Sequence, residues 1–319
     1  MTVAPSPSAH SRLGACAWQR FAPGPRLALF ADNFQIMRMH AAGELPRVLP
    51  GSGALLCIPL GGELFLQNLH AQRRERLARA FVICNRHAVL DLVCDAPVEL
   101  LIATFRPGRL RYLVPASFAE LQDRFTAADE LWGAGELARL CEQLAASPDA
   151  DLRIARLEGF LERHLGTRAD ARLDVLQDCL YLAPDTRISR LAAEGGWSLR
   201  HFERLFTQAY GVTPKFFARV ARLQQVARNM ALGLAPNVAG AVMDAGFYDQ
   251  PHFIHELHRL AGLSPADFSR GLRERPHFYN PAALPRYRQQ LRHTLADSEL
   301  SRINLRLARP GAAPRAGRA

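Results

Sequence analysis

The chain repeats itself. Sliding residues 188–217 onto 239–268 places Gly195 on Gly246, His201 on His252, Phe202 on Phe253, Gly211 on Gly262, Pro214 on Pro265 and Phe217 on Phe268, all at an offset of 51. Trp197 meets Tyr248 and Phe206 meets Leu257 at the same offset. Such a repeat comes before any other fold reading, because a single supersecondary unit rarely buries its apolar face alone.

Each copy has the grammar of helix, tight turn, helix. In the first, Ile188–Glu194 reads as a short helix with Leu191 and Ala192 inward, and Gly195-Gly196 supplies the turn. Ser198 then caps a helix over Leu199–Ala209, with Phe202, Leu205 and Phe206 inward and Arg200, Glu203, Arg204 and Gln208 outward. In the second, Asn237 caps Val238–Ala245, Gly246 turns the chain, and Asp249 caps Gln250–Leu260. The second helix of such a motif lies in the DNA major groove, with its early residues on the base edges.

Thr213-Pro214 opens the helix that joins the two copies, with proline at a favoured first position. Phe216, Val220, Leu223, Ala227 and Met230 form its apolar stripe, and Lys215, Arg219 and Arg222 share a basic side. Running to Leu232, it spans roughly 28 Å at 1.5 Å per residue. One DNA turn is about 34–36 Å. A rigid joint of that length places two reading helices in successive major-groove segments.

The rest of the chain reads differently. Residues 1–31 are Pro- and Ala-rich with weak periodicity, a loose lead-in. Short strands are expected over Phe34–His40, Ala54–Leu60, Leu64–Leu69, Ala80–Cys84, Val89–Val93 and Val98–Phe105, separated by turn signals such as Pro50-Gly51 and Gly61-Gly62. Strands at this spacing point to a small barrel or sandwich. Helical periodicity follows: a short helix capped by Ser117, one carrying Leu137, Leu140, Cys141 and Leu144, and one carrying Leu152, Ala155, Leu157, Phe160 and Leu161. Residues 167–171 read as a linker, and a helix follows over Arg172–Leu182. The expected fold class is therefore multidomain α+β. A β-rich, cupin-like barrel or sandwich with trailing helices (32–166) precedes an all-α domain (168–275) and an Arg-rich, partly disordered tail (276–319).

Charge separates the same parts. Of the net +10, residues 1–184 contribute zero, 185–275 contribute +4 and 276–319 contribute +6. The polyanion footprint thus falls on the repeat and the tail. The longest apolar runs are far short of the roughly 20 residues of a membrane helix, and no signal peptide is legible. None of Cys16, Cys57, Cys84, Cys94, Cys141 and Cys179 forms a C-x-x-C pair, so they read as reduced core thiols of a cytoplasmic protein.

The strings "ISRLAAEGGWSLRHFERLFTQAYGVTPKFFARVARLQQVARNM" and "VAGAVMDAGFYDQPHFIHELHRLAGLSPADF" resemble the DNA-binding domain of the AraC/XylS family of transcription regulators. The text "RVLPGSGALLCIPLGG", "ATFRPGRL" and "LQDRFTAADELWG" resembles the β-rich domain that precedes some tails of this type. The resemblance implies base reading by Arg200, Glu203 and Arg204 in the first helix and by Gln250, Ile254 and His255 in the second. Ser198, Gln208, Arg219 and Arg222 complete the expected DNA-contacting set. His255 stands where the family usually carries Arg, and Pro251 is unusual so early in a helix; a neutral imidazole donates less to guanine than a guanidinium does.

The expected function is a sequence-specific, DNA-binding transcription regulator. Its β-rich half responds to a small-molecule effector or pairs with a second copy of the chain, and RNA polymerase is a further partner. The alternative is a protein-interaction regulator whose second helix-turn-helix has weakened. A methyl-accepting repair enzyme is disfavoured, because the cysteines are scattered. No nucleophile–base pair or phosphate-cradling loop is present, so no catalytic residue and no cofactor are expected. His252, His255 and His258 lie three apart but lack further ligands nearby, so no metal is expected either.

Overall fold

The computed structural model describes residues 9–11, 14–45, 48–68, 73–84, 90–147, 149–166, 171–231 and 237–274. The strands are β1 (Ala9–Ser11), β2 (Gly14–Phe21), β3 (Ala31–Met39), β4 (Gly43–Glu44), β5 (Ala54–Gly61), β6 (Phe65–Asn68), β7 (Arg73–Arg76), β8 (Phe81–Ile83), β9 (Asp91–Cys94), β10 (Val98–Phe105) and β11 (Phe125–Ala127). A 3-10 turn over Arg109–Tyr112 follows β10. The helices of the first half are α1 (Phe118–Leu121), α2 (Ala128–Trp132), α3 (Ala134–Ala145) and α4 (Ala150–Arg163). Those of the second are α5 (Ala171–Leu182), α6 (Ile188–Glu194), α7 (Leu199–Tyr210), α8 (Pro214–Ala231), α9 (Val238–Asp244), α10 (Gln250–Ala261) and α11 (Pro265–Glu274).

Two antiparallel sheets face each other. One has seven strands in the order β1-β2-β3-β10-β5-β8-β11, and the other four in the order β4-β9-β6-β7. Met37, Met39, Cys57, Phe81 and Leu100 of the larger sheet pack with Leu92 and Cys94 of the smaller. On its other face, Phe34, Ile36, Leu56, Ile58, Leu101 and Ala103 pack against Leu137, Leu140, Leu157 and Phe160 of α3 and α4. The large sheet is therefore buried on both sides. This is why β5 and β10 read as continuous apolar runs rather than alternating ones.

The lead-in expected over 1–31 is corrected: β2 pairs along Cys16↔Met39 to Phe21↔Phe34 and extends the large sheet. β7, all charged, was not foreseen as a strand. It pairs with β6 along Phe65↔Arg76 to Asn68↔Arg73, and Arg74 covers the Phe65 ring at 3.8 Å. Ser117 makes the reciprocal cap with Glu120 that starts α1. Most of the expected linker and the Arg-rich tail lie outside the described residues.

The helical half has two cores. One is built from α5, α6, α7 and the first turns of α8 around Leu176, Leu191, Phe202, Phe206 and Phe217. The other is built from α8, α9, α10 and α11 around Leu223, Val242, Phe253, Leu257 and Phe268. No described helix is long and apolar enough to cross a membrane.

Candidate nucleic-acid interface

The structure changes the register of the repeat. α6 and α9 begin at Ile188 and Val238, an offset of 50, and so do the left-handed glycines Gly196 (φ 74°) and Gly246 (φ 75°). Trp197 N–H donates to Ala192 at 2.9 Å, and Phe247 N–H donates to Val242 at 3.3 Å. The preceding helices match as well. Arg172 of α5 lies over Trp197 at 5.7 Å, and Arg222 of α8 lies over Phe247 at 5.4 Å. The repeated unit is thus three helices, α5–α7 and α8–α10. The structural counterpart of Trp197 is Phe247, not Tyr248.

The offset becomes 51 at the caps Ser198 and Asp249 and stays so to the terminal glycines Gly211 and Gly262. Tyr248 is the inserted residue, and its side chain is 87% exposed. A one-residue insertion in the turn is invisible to a comparison that keeps a single offset.

The second helix of the first helix-turn-helix, α7, starts where Ser198 Oγ accepts from His201 N–H at 3.3 Å. Phe202, Phe206 and Tyr210 are buried on one face. Arg200, Glu203, Arg204 and Gln208 are exposed on the other, as their spacing predicts. Arg204 donates to Gln208 Oε1 at 3.1 Å and lies 3.3 Å from His201 Nδ1, so three side chains of the face form one exposed network. Gly195 is needed for space rather than dihedral freedom, since a Cβ there would sit 2.5 Å from the Trp197 ring.

The second helix of the second helix-turn-helix, α10, starts where Asp249 Oδ1 accepts from His252 N–H at 2.8 Å. Pro251 lies in its first turn, where a missing N–H leaves no ladder bond unmade. Gln250, Ile254 and His255 are exposed, whereas Phe253, Glu256 and Leu257 are buried.

Lys215, Arg219 and Arg222 keep the spacing of one side of α8, and the two arginines have partners within the protein. Arg219 pairs with Glu256, which also holds Arg259 at 3.1 Å. Arg222 covers Phe247, and burial lowers its pKa. Lys215 is exposed. Both arginines thus sit at the junction of α8 with the second helix-turn-helix. Glu256 was not singled out from sequence, and its only signal was a carboxylate between Phe253 and Leu257 on an apolar face.

The β-rich half grips the same helices. Asp174 of α5 accepts from Arg109 at 2.9 Å, Arg111 at 2.8 Å, Tyr112 at 2.8 Å and Tyr210 at 3.0 Å. Asp178 accepts from Arg109 at 2.6 Å, and Gln177 Oε1 does so at 2.9 Å. At the offset of 50, Asp174 corresponds to Gln224 of α8, which accepts from Ser52 of the β-rich half at 2.7 Å. Equivalent positions of both units are therefore bonded to the same neighbour. Among the described residues, no group of three His, Cys, Asp or Glu side chains is arranged to hold a metal ion.

A helix-turn-helix domain family model matches residues 191–271. That stretch of the chain is a helix-turn-helix domain. The virulence regulon transcriptional activator VirF of Yersinia enterocolitica serotype O:8 / biotype 1B is 31% identical over 104 residues, covering 33% of this chain and 38% of VirF. The HTH-type transcriptional regulator ExsA of Pseudomonas aeruginosa is 27% identical over 136 residues, covering 43% of this chain and 46% of ExsA. The chain thus spans under half the length of the curated relatives it matches. The solved structure of ToxT from Vibrio cholerae aligns with a TM-score of 0.44 at 11% identity, over 75% of this chain and 97% of that one. The matched stretch spans both α7 and α10.

Proposed function

We propose that this chain is a transcription regulator that reads two successive major-groove segments of duplex DNA, and that it carries out no chemistry of its own. The observation that carries the reading is the pair of capped, 12-residue helices, α7 and α10, each turning a solvent-exposed face outward on either side of one 18-residue linker helix in the chain. In this reading Arg200, Glu203, Arg204 and Gln208 contact bases or phosphates from the first helix. Gln250, Ile254 and His255 do so from the second. Ser198 serves as a cap, and Arg219 and Arg222 position the second unit rather than touch phosphate.

The β-rich half modulates this reading. Its bonds to Asp174 and Gln224 give an effector, or a second copy of the chain, a route to both units. RNA polymerase is the further partner that an activator such as VirF would meet.

The test is in vitro selection from a random duplex library with the full chain, followed by gel shift. The enriched duplex should bind well over tenfold tighter than a scrambled one at physiological salt, with an affinity that falls as salt rises. Equal binding of the two duplexes would defeat the reading.

A further inference from the structure

The two reading helices share a geometry and differ in chemistry. Both run 12 residues, from a side-chain cap to a left-handed glycine. At the offset of 51 that relates them, exposed Arg200, Glu203 and Arg204 become exposed Pro251, Ile254 and His255. Two guanidinium groups and a carboxylate are replaced by two apolar side chains and an imidazole.

Ile254 is 44% exposed, while Phe253 and Leu257 beside it are buried at 1% and 0%. It is not turned outward by slack in the helix. Glu256 is clamped by Arg219 of α8, and Phe253 and Leu257 are set in the core, so the rotation of α10 is fixed. An isoleucine held on the face where the first helix carries a carboxylate has nothing to hydrogen-bond with. The apolar group that base edges offer in the major groove is the C5 methyl of thymine.

We propose that the second reading helix recognises a thymine by packing Ile254 against its C5 methyl, whereas the first helix reads by hydrogen bonding. This rests on the DNA-reading function proposed above. It makes the bipartite site chemically unequal: polar readout in one segment, and a methyl group at one position of the other.

The experiment uses the full chain and the duplex enriched by selection. Each thymine of the segment protected by the second unit is replaced in turn by deoxyuridine, which removes only the methyl. At one position the wild type should lose about fourfold in affinity, the worth of one buried carbon group. Ile254→Ala should bind the thymine and deoxyuridine duplexes alike at that position. Ile254→Val should keep part of the preference. Because Ile254 is exposed, both variants should melt with the wild type, which the same preparations verify.

Indifference of the wild type to every methyl in that segment would overturn the proposal. So would an Ile254→Ala variant that keeps the wild-type ratio. Either result leaves the DNA-reading function standing, whereas failure to enrich any duplex removes both.

Discussion

Tyr210, the last residue of α7, donates its hydroxyl to Asp174 at 3.0 Å, and Asp174 is also where the β-rich half docks. The C-terminal end of α7 and the surface of the neighbouring half therefore share one carboxylate. Space is as tight as the bonding. Gly108, in the left-handed region at φ 74°, lies so close to the Tyr210 ring that a Cβ there would be 2.5 Å from it.

Arg109→Met leaves Asp174 and Asp178 buried without that guanidinium. Breaking a buried pair from one side costs about 3–5 kcal/mol, whereas removing both charges together costs less. Urea denaturation should therefore show a large loss for Arg109→Met. The combined Arg109→Met and Asp178→Leu chain should lose less than the sum of its single changes. Strict additivity would mean the groups do not act as a unit.

The corrected register makes a paired forecast. Phe247 is 4% exposed and Tyr248 is 87% exposed. Phe247→Ala should cost about 3–5 kcal/mol, as for other buried aromatics. Tyr248→Ala should fall within about 0.5 kcal/mol of the wild type. Thermal melts that ranked the two the other way would restore the offset of 51 across the turn.

Arg219 and Glu256 position the second unit, so their loss should be local. Glu256→Ala leaves Arg219, whose side chain is 16% exposed, without its carboxylate. We expect about 3 kcal/mol of destabilisation. Footprints should show weakened protection over the second DNA segment and retained protection over the first. Uniform weakening of both segments would contradict a local positioning role for the pair.

Alkaline pH should loosen the fold through groups kept protonated by burial. Burial, reinforced by the charge of Asp174, holds the Tyr210 hydroxyl well above its ordinary value. Burial pushes the Cys57 and Cys179 thiols from 9.0 up to about 12, the latter also through Asp178 and Glu194. In each case the folded state keeps a proton that the unfolded chain gives up sooner. The stability is thus fully present below about pH 9 and is lost as pH rises toward the folded values. Urea midpoints measured from pH 7 to 11 should fall only in the upper half of that range. Thiol labelling of Cys57 should be slow at neutral pH, because little thiolate forms.

Much of this was legible in the sequence, for physical reasons. β10 and α6 were expected over the residues they occupy, because β10 is an apolar run between turn signals and α6 has an inward Leu191-Ala192 pair ahead of glycine. The outward faces of α7 and α10 followed from helical periodicity. β7 was not legible, since it is held by Arg74 lying over Phe65 and by backbone pairing at an edge rather than by burial. Asp174 was not legible because its partners come from residues 109–112, far away in the chain. Its available trace was the spacing of Asp174, Gln177 and Asp178 on one side of a helix that also carries Leu173, Val175, Leu176 and Leu180. The inserted Tyr248 was missed because its aromatic ring imitates Trp197 one position away from the true counterpart.

The central claim is that α7 and α10 both read duplex DNA from one rigid linker. Hydroxyl-radical footprinting of the full chain on the enriched duplex measures this directly, with Arg204→Ala and Ile254→Ala alongside. The account predicts two protected major-groove segments about one helical turn apart, on the same side of the duplex. Arg204→Ala should cost about 1–3 kcal/mol and relax sequence preference in one segment only, and Ile254→Ala should relax it in the other. A single protected segment, or two variants that weaken the same one, would contradict it.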